Sequence, residues 1–391
     1  MNIVRHEVAD IIQRYGEQYL TTHKVSLHHR KVLRDIVLCR TVAMGGHKYA
    51  CDHCGSIRVA YNSCRNRHCP RCQSVDRERW IIKREEDLLP VRYFHVVFTL
   101  PDQLNPMCLR YPAQMYNMMF SAAWETLEDF GYDFRHLGAS TGMTAVLHTW
   151  GQTLVLHPHL HCIVPAGGLT VQGKWRHSRQ NGKYLYPQKA LKRVFKAKYV
   201  EKLRRWIKQG NIQVDKSFFF YLSLKSWVVD VRDPFEKAEN VIEYLARYTH
   251  KVAISNYRLV SIDGGTIVFR YKDYRDGAKQ KTMPLGAIDF LQRFCLHILP
   301  FGFVRIRHYG ILATRRKTQC LKEARLSLGI AAPQKQSTDW KSIARLRLGF
   351  DPDRCPVCGV GRMILIETLA PERGPPLMIM NFKQVNSQLS S

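Results

Sequence analysis

Three histidines alternate within six residues, His157-Pro-His159-Leu-His161-Cys. In a β-strand the side chains at i, i+2 and i+4 share one face. The three imidazoles can therefore point one way while Leu160 points the other. Such a row fits a metal site, a pH-sensitive surface or an accident of composition. Two imidazoles on one strand can chelate a divalent ion and leave positions open for water and substrate, as metal-assisted phosphoryl chemistry requires. Spacing does not fix a third ligand; His148, Gln152 and His157 compete for that place. A second group lies downstream in EYLARYTHK, residues 243–251. Tyr244 and Tyr248 stand one helical turn apart, and Lys251 follows on the same face. A phenol with a pKa near 10 is a weak nucleophile at neutral pH unless a cation or metal assists it. Taken alone, the pair reads as a buried aromatic stripe.

Cysteine supplies a third chemistry. Cys51-x-x-Cys54 and Cys69-x-x-Cys72 are two thiolate knuckles, spaced as in known zinc ribbons. Their four sulfurs are expected to form one tetrahedral zinc site. With four protein ligands and no open position, that zinc is structural rather than catalytic. Cys64 and His68 lie between the knuckles and could replace one ligand or help hold a second ion. Cys355-x-x-Cys358 supplies half of a further site, with no obvious partner. Arg65, Arg67 and Arg71 interleave with the ligands, as a phosphate-contacting loop would arrange them; the plainer reading is a solvated basic loop.

The 391 residues carry a formal net charge of +28, with a pI near 9.8. That excess points to a polyanionic partner, nucleic acid before membrane, because no apolar run nears the roughly 18 residues of a spanning helix. The N-terminus reads as an amphipathic helix rather than a secretory signal. A cytoplasmic protein associated with nucleic acid is expected, with its twelve cysteines reduced and available to metal.

The elements that must position these groups follow from periodicity. Residues 1–48 read as helical, ending at Gly45-Gly46. RYFHVVFTLP (92–101) reads as a buried strand, 114–132 as a helix, and 144–168 as strands broken at Gly151 and Gly167-Gly168. A basic helix covers 193–210, a strand-like run covers 218–233, and a helix covers 234–255. Asp263-Gly264-Gly265 marks a hairpin. The expected fold class is α+β, a mostly antiparallel sheet flanked by helices, with an N-terminal helical and zinc-binding module. Four segments follow: 1–88 helical and zinc-binding, 89–260 core, 261–330 hairpin and basic region, and 331–391 a partly disordered tail with the last knuckle. RIRHYGILATRRK (305–317) offers Arg305, Arg307, Arg315 and Arg316 to DNA. KALKRVFKAKYVEKLRRWIK offers more cations, although its aromatics also fit a buried stripe.

Together these motifs resemble the two-tyrosine HUH transposases of bacterial rolling-circle insertion sequences. The resemblance spans most of the chain. CDHC…CRNRHCPRC looks like the family's zinc-binding domain, FHVVFTLP like its first strand motif, HTWGQTLVLHPHLHCIVPAGG like its metal motif and YLARYTHKVAIS like its tyrosine motif. FRYKDYRDG and LPFGFVRIRHYGILATRR are similar to its C-terminal stretches. The resemblance implies an HUH endonuclease core in which His159 and His161 hold Mg²⁺ or Mn²⁺, with His148 matching a family histidine as third ligand. It implies that Tyr244 or Tyr248, assisted by Lys251, attacks single-stranded DNA at an element end. A 5′-phosphotyrosine forms and a 3′-OH is freed. The rival readings are a plasmid replication initiator or relaxase with the same chemistry, a non-catalytic zinc DNA-binding protein, and a zinc hydrolase using the histidine row. No helicase-type G-x-x-x-x-G-K-[ST] stretch stands out.

Overall fold

Alternation of large apolar residues with polar ones builds the central sheet. The computed structural model describes residues 6–236, 240–242, 244 and 251–372. The strands, in chain order, are β1 (Gly46–Cys51), β2 (Ile57–Tyr61), β3 (Tyr93–Thr99), β4 (Gly142–Trp150), β5 (Leu156–Pro165), β6 (Gly167–Leu169), β7 (Trp175–His177), β8 (Val228–Val231), β9 (Leu259–Asp263), β10 (Thr266–Asp273), β11 (Lys279–Gly286), β12 (Ile306–Gly310) and β13 (Met363–Leu369). The principal helices are α1 (Val8–Thr22), α2 (Leu27–Leu38), α3 (Ser74–Glu85), α4 (Pro112–Tyr132), α5 (Gln188–Gln209), α6 (Ala287–Cys295), α7 (Lys317–Leu328) and α8 (Trp340–Arg347). The fold is α+β, and every named strand pairing is antiparallel.

Five strands form the main sheet in the order β12-β4-β5-β3-β8. Its two faces differ because successive side chains alternate. Phe94, Val96 and Phe98 of β3, Ala145 and Leu147 of β4, and Leu160, Cys162 and Val164 of β5 enter one core. Phe120 and Met119 of α4 and Phe195, Tyr199 and Leu203 of α5 cover them. Each such fully buried side chain contributes about 1.5–3 kcal/mol relative to exposure. The residues between them, His95, Thr99, Thr144, His148, His159 and His161, share the opposite face. This polar face carries the site.

A second core joins the two ends of the sequence. Val8, Ile11, Ile12, Leu33 and Ile36 of α1 and α2 pack with Ile262, Ile267 and Phe269 of the β9–β11 sheet and Phe290, Leu291 and Phe294 of α6. The N-terminal helices thus share a core with residues beyond 261, so contacts cross the expected boundaries. The hairpin at 263–266 closes through Gly264 and Gly265, at φ +52° and +78°. A two-residue type I′ turn needs positive φ at both positions, which glycine supplies without strain.

Three expectations change. The helix expected over 234–255 does not cover 251–255, so Lys251 is not on a helix; residues 237–239, 243 and 245–250 of that run lie outside those described. Phe218–Leu224 is a helix, and only Val228–Val231 of the run 218–233 is strand; Leu222, Trp227 and Val229 enter the core there. The tail beyond 331 is structured as far as described: α8 is capped by the Asp339 carboxylate on the Lys341 and Ser342 amides, and β13 pairs with β1. Among the described residues, no helix is long and apolar enough to cross a membrane.

Candidate active site and metal centres

The register of β4 and β5 places His148 opposite His159 and Val146 opposite His161. One ring nitrogen from each of His148, His159 and His161 lies within 4.8 Å of the other two. The imidazole centroids are 4.8 Å apart for His148–His161 and His159–His161, and 5.5 Å for His148–His159. His148 stacks on Trp150 at 4.5 Å, which fixes its ring plane. His159 Nδ1 sits 2.6 Å from the His157 carbonyl oxygen. Donating there leaves its Nε2 lone pair free, the arrangement that second partners impose on metal-ligating histidines. Burial pushes His159 down to about 4 and His161 well below the usual imidazole range, so both are neutral and able to ligate at physiological pH. The donor chemistry fits a divalent cation: three clustered imidazoles on two neighbouring strands.

The rivals for the third position stand elsewhere. His157 is exposed; its carbonyl meets His159 Nδ1 and its ring lies 5.2 Å from the His159 ring, but its nitrogens are outside the cluster. Gln152 turns its side-chain oxygen to the Lys272 amide at 3.4 Å.

A fourth histidine, unmarked by spacing, completes the arrangement. His95 on β3 is fully buried. Its Nε2 lies 2.9 Å from His161 Nδ1, and its Nδ1 lies 3.1 Å from Tyr244 Oη. The His95 and His161 rings stack at 5.1 Å. Arg232, just past β8, donates from Nη1 to Tyr244 Oη at 3.2 Å. Burial, then the Arg232 charge, pushes His95 down to about 3. Tyr244 also meets Phe235, at 5.0 Å between rings, and lines an open cavity of about 440 Å³ with Arg232. The sequence signal for His95 is a lone histidine in an apolar strand, which by itself means little. Lys251 keeps solvent contact, yet desolvation, then repulsion from Arg258 and Lys272, lowers its pKa. Tyr248 lies outside the described residues.

The cysteines assort differently from their spacing. Cys51 and Cys54 do not meet Cys69 and Cys72. Instead Cys39, Cys64, Cys69 and Cys72 form one cluster, and Cys51, Cys54, Cys355 and Cys358 form another, each with its sulfurs within 4.8 Å. Facing sulfurs are 3.7 Å apart for Cys64–Cys72 and 3.8 Å for Cys51–Cys358 and Cys54–Cys355. A tetrahedral zinc with bonds of about 2.3 Å places its sulfurs about 3.8 Å apart, far beyond the roughly 2 Å of a disulfide. Backbone amides point at the sulfurs, from Asn66 to Cys64, Arg71 to Cys69 and Gly361 to Cys358. The Gly361 amide, then that of Val360, pushes Cys358 down to about 6. A Cβ at Gly361 would lie 2.5 Å from Cys51 Sγ, so only glycine fits there. The physical reason for the regrouping is chain path: β1 and β13 pair and carry the first and last knuckles together, while Cys39 at the end of α2 closes the other set. His68 joins neither cluster; it is half-buried, with Nε2 shielded from solvent and unsatisfied.

The arginines divide as well. Arg67 donates to the Pro300 carbonyl at 3.0 Å and to that of Phe303. Arg71 donates to the Cys39 carbonyl and pairs with Glu7. Arg305 is buried and reaches the Lys251 carbonyl, and Arg307 lies over the Phe120 ring at 4.2 Å. These four hold the protein together and are poorly placed to meet phosphates. Arg65, Arg315 and Arg316 are exposed.

Comparison with known proteins agrees with the geometry. Residues 11–100 match the family model described as "Transposase zinc-binding domain", and residues 142–320 match the one described as "Putative transposase". The chain is 44% identical over 387 residues to "Putative transposase y4qJ" of Sinorhizobium fredii (strain NBRC 101917 / NGR234), covering 95% of this chain and 97% of that protein. It is 29% identical over 344 residues to the "Transposase for insertion sequence element IS801" of Pseudomonas savastanoi pv. phaseolicola, covering 84% and 81%. No solved structure matches the chain. The chain belongs to the two-tyrosine transposase family of bacterial rolling-circle insertion sequences, with that family's N-terminal zinc-binding domain.

Proposed function

We propose that this transposase nicks and rejoins single-stranded DNA at element ends through a 5′-phosphotyrosine on Tyr244. The observation that carries the reading is the hydrogen-bonded line from Tyr244 Oη through His95 to His161, one of the three clustered histidines. It ties a nucleophile to a metal-competent centre across neighbouring elements.

His148, His159 and His161 would hold the ion. The absence of a carboxylate from the triad favours Mn²⁺ over Mg²⁺, since imidazole suits the softer ion. When bound, the ion polarises the scissile phosphate and offsets developing charge. The protein's own groups do the rest. Arg232 donates to the tyrosine oxygen, and His95 offers a second N–H when His161 keeps its proton on Nδ1. Two donors on one phenolic oxygen stabilise the phenolate. His95, with a pKa near 3, is too weak a base to store the phenolic proton, which passes to water. The Tyr244 oxygen then forms a bond to phosphorus as the bond to the 3′ oxygen breaks, and that oxygen takes up a proton as 3′-OH. Attack by a 3′-OH on the tyrosyl phosphate reverses the step, so joining needs no nucleotide cofactor. Tyr248 is assigned the second link, and Lys251 the charge on the transferring phosphate. The two cysteine clusters are assigned one structural zinc each.

The test is an SDS-resistant protein–DNA adduct formed with Mn²⁺ and single-stranded DNA bearing the element end. The reading expects an adduct that Tyr244→Phe with Tyr248→Phe removes. An adduct that survives in that double variant contradicts it.

A further inference from the structure

A cleft of about 540 Å³ opens where α3, the β4–β5 loop and the β9–β11 sheet meet. Its described walls hold five cations, no carboxylate and three tyrosines. On β10, buried Ile267 and Phe269 anchor the strand in the second core. Arg270 and Lys272 on the alternate positions are exposed and project outward. Arg258 braces this wall: it donates to the carbonyls of Arg270 and Gln152 and lies over the Phe269 ring at 5.5 Å. Its charge is therefore fixed in place without a carboxylate among those partners. Tyr257 and Tyr274 are 75% and 70% exposed, an unusual state for two large rings in one cleft. The floor reaches Lys251, whose charge acts on His159 and His161. Lys251 is thus the residue that the cleft shares with the surroundings of the histidine triad.

We infer that this cleft is a binding site for unpaired DNA flanking the scissile phosphate, with Arg270 and Lys272 on the backbone and Tyr257 and Tyr274 stacking on bases. Mobile single strands present base faces that duplex DNA hides, and exposed tyrosines beside fixed cations match that chemistry. Duplex would use the cations but leave the rings without partners. The inference deepens the proposed nuclease reading and rests on it for the direction of the strand, but the cleft's affinity can be measured alone.

The probe is a fluorescein-labelled oligodeoxythymidylate of about 20 nucleotides, followed by anisotropy against the intact chain at several salt concentrations. Tyr257→Ala with Tyr274→Ala is expected to weaken binding about 10-fold or more. Arg270→Ala with Lys272→Ala is expected to weaken it and to reduce the salt slope by about 0.7 for each phosphate no longer neutralised. Lys174→Ala with Lys183→Ala, at exposed positions outside the stretches offered to DNA and equal in charge removed, is the control and should change affinity far less. All four cleft positions keep solvent contact, so circular dichroism should show each variant folded. Binding within twofold of wild type in both cleft variants, or an equal loss in the control, overturns the inference. So does equal loss of duplex binding in the tyrosine variant. If the cleft variants lose affinity while the wild type forms no adduct on element-end DNA, the cleft stands and the tyrosine nuclease reading falls.

Discussion

Tyr244 and His161 are joined through a single side chain: His95 lies 3.1 Å from the tyrosine oxygen and 2.9 Å from the His161 ring nitrogen. β3 pairs with β5, setting Val97 opposite His161, so His95 and His161 are near neighbours on one sheet face. Tyr244, the proposed nucleophile, is therefore linked to the triad through the register of β3 on β5 rather than by sequence proximity.

His95 should matter to rate more than to fold. His95→Ala is expected to slow adduct formation about 10²-fold or more, the usual range for losing one donor to a developing oxyanion. His95→Gln, which keeps a donor, should recover part of it. The readout is the single-turnover rate of adduct formation with metal saturating. Equal rates in wild type and His95→Ala would remove His95 from the mechanism.

Metal content separates the two cysteine groupings. The structure predicts two zinc ions per chain, and one after Cys355→Ser with Cys358→Ser, by native mass spectrometry or metal analysis. A single site of Cys51, Cys54, Cys69 and Cys72 predicts no change in that variant. Cys39→Ser should destabilise more than Cys358→Ser, because Cys39 is fully buried in the second core while Cys358 is half-exposed.

Acid should weaken the fold through buried imidazoles. His297 is held between the Thr149 hydroxyl at 3.1 Å and the Leu154 carbonyl at 3.0 Å, and His308 between Thr144 and Arg84. Burial pushes both down to about 4. Their folded pKa lies below the unfolded value near 6.5, so the unfolded chain binds more protons in between. The stability they confer is complete above about 6.5 and is lost progressively as pH falls toward 4. Urea melts at pH 7.5, 6 and 5 should show the decline, and His308→Asn should flatten it. Stability that holds or rises toward pH 5 in the wild type contradicts this.

Arg67 and Arg315 should behave oppositely despite equal charge. Arg67 binds two backbone carbonyls, so Arg67→Ala should cost about 1–3 kcal/mol of stability. Exposed Arg315→Ala should leave stability within about 0.5 kcal/mol. Thermal melts of the two variants decide it; equal effects would mean that the carbonyl contacts contribute nothing.

What the sequence revealed followed the range of its signals. Period-2 alternation reads correctly through His159 and His161, because a strand's geometry is local. The same rule could not find His95, whose role depends on which strand lies beside β5. The C-x-x-C knuckles were legible as thiolate pairs, but the pairs sort by strand pairing between β1 and β13, residues more than three hundred positions apart. Cys39 carried no knuckle at all. Arginine spacing likewise could not tell a phosphate contact from a carbonyl clamp, because the carbonyls of Pro300 and Phe303 come from a distant loop. The run 218–233 misled because aromatic residues suit strands and buried helices alike.

The central claim is that Tyr244 attacks DNA beside a histidine-held ion. It is tested most directly by mapping the adduct formed on single-stranded element-end DNA with Mn²⁺, using peptide mass spectrometry after nuclease digestion. The account predicts a nucleotide phosphate on the peptide bearing Tyr244, absent without divalent metal and lost in His159→Ala with His161→Ala. A phosphate found only elsewhere than on Tyr244, or an adduct indifferent to those two histidines, would contradict it.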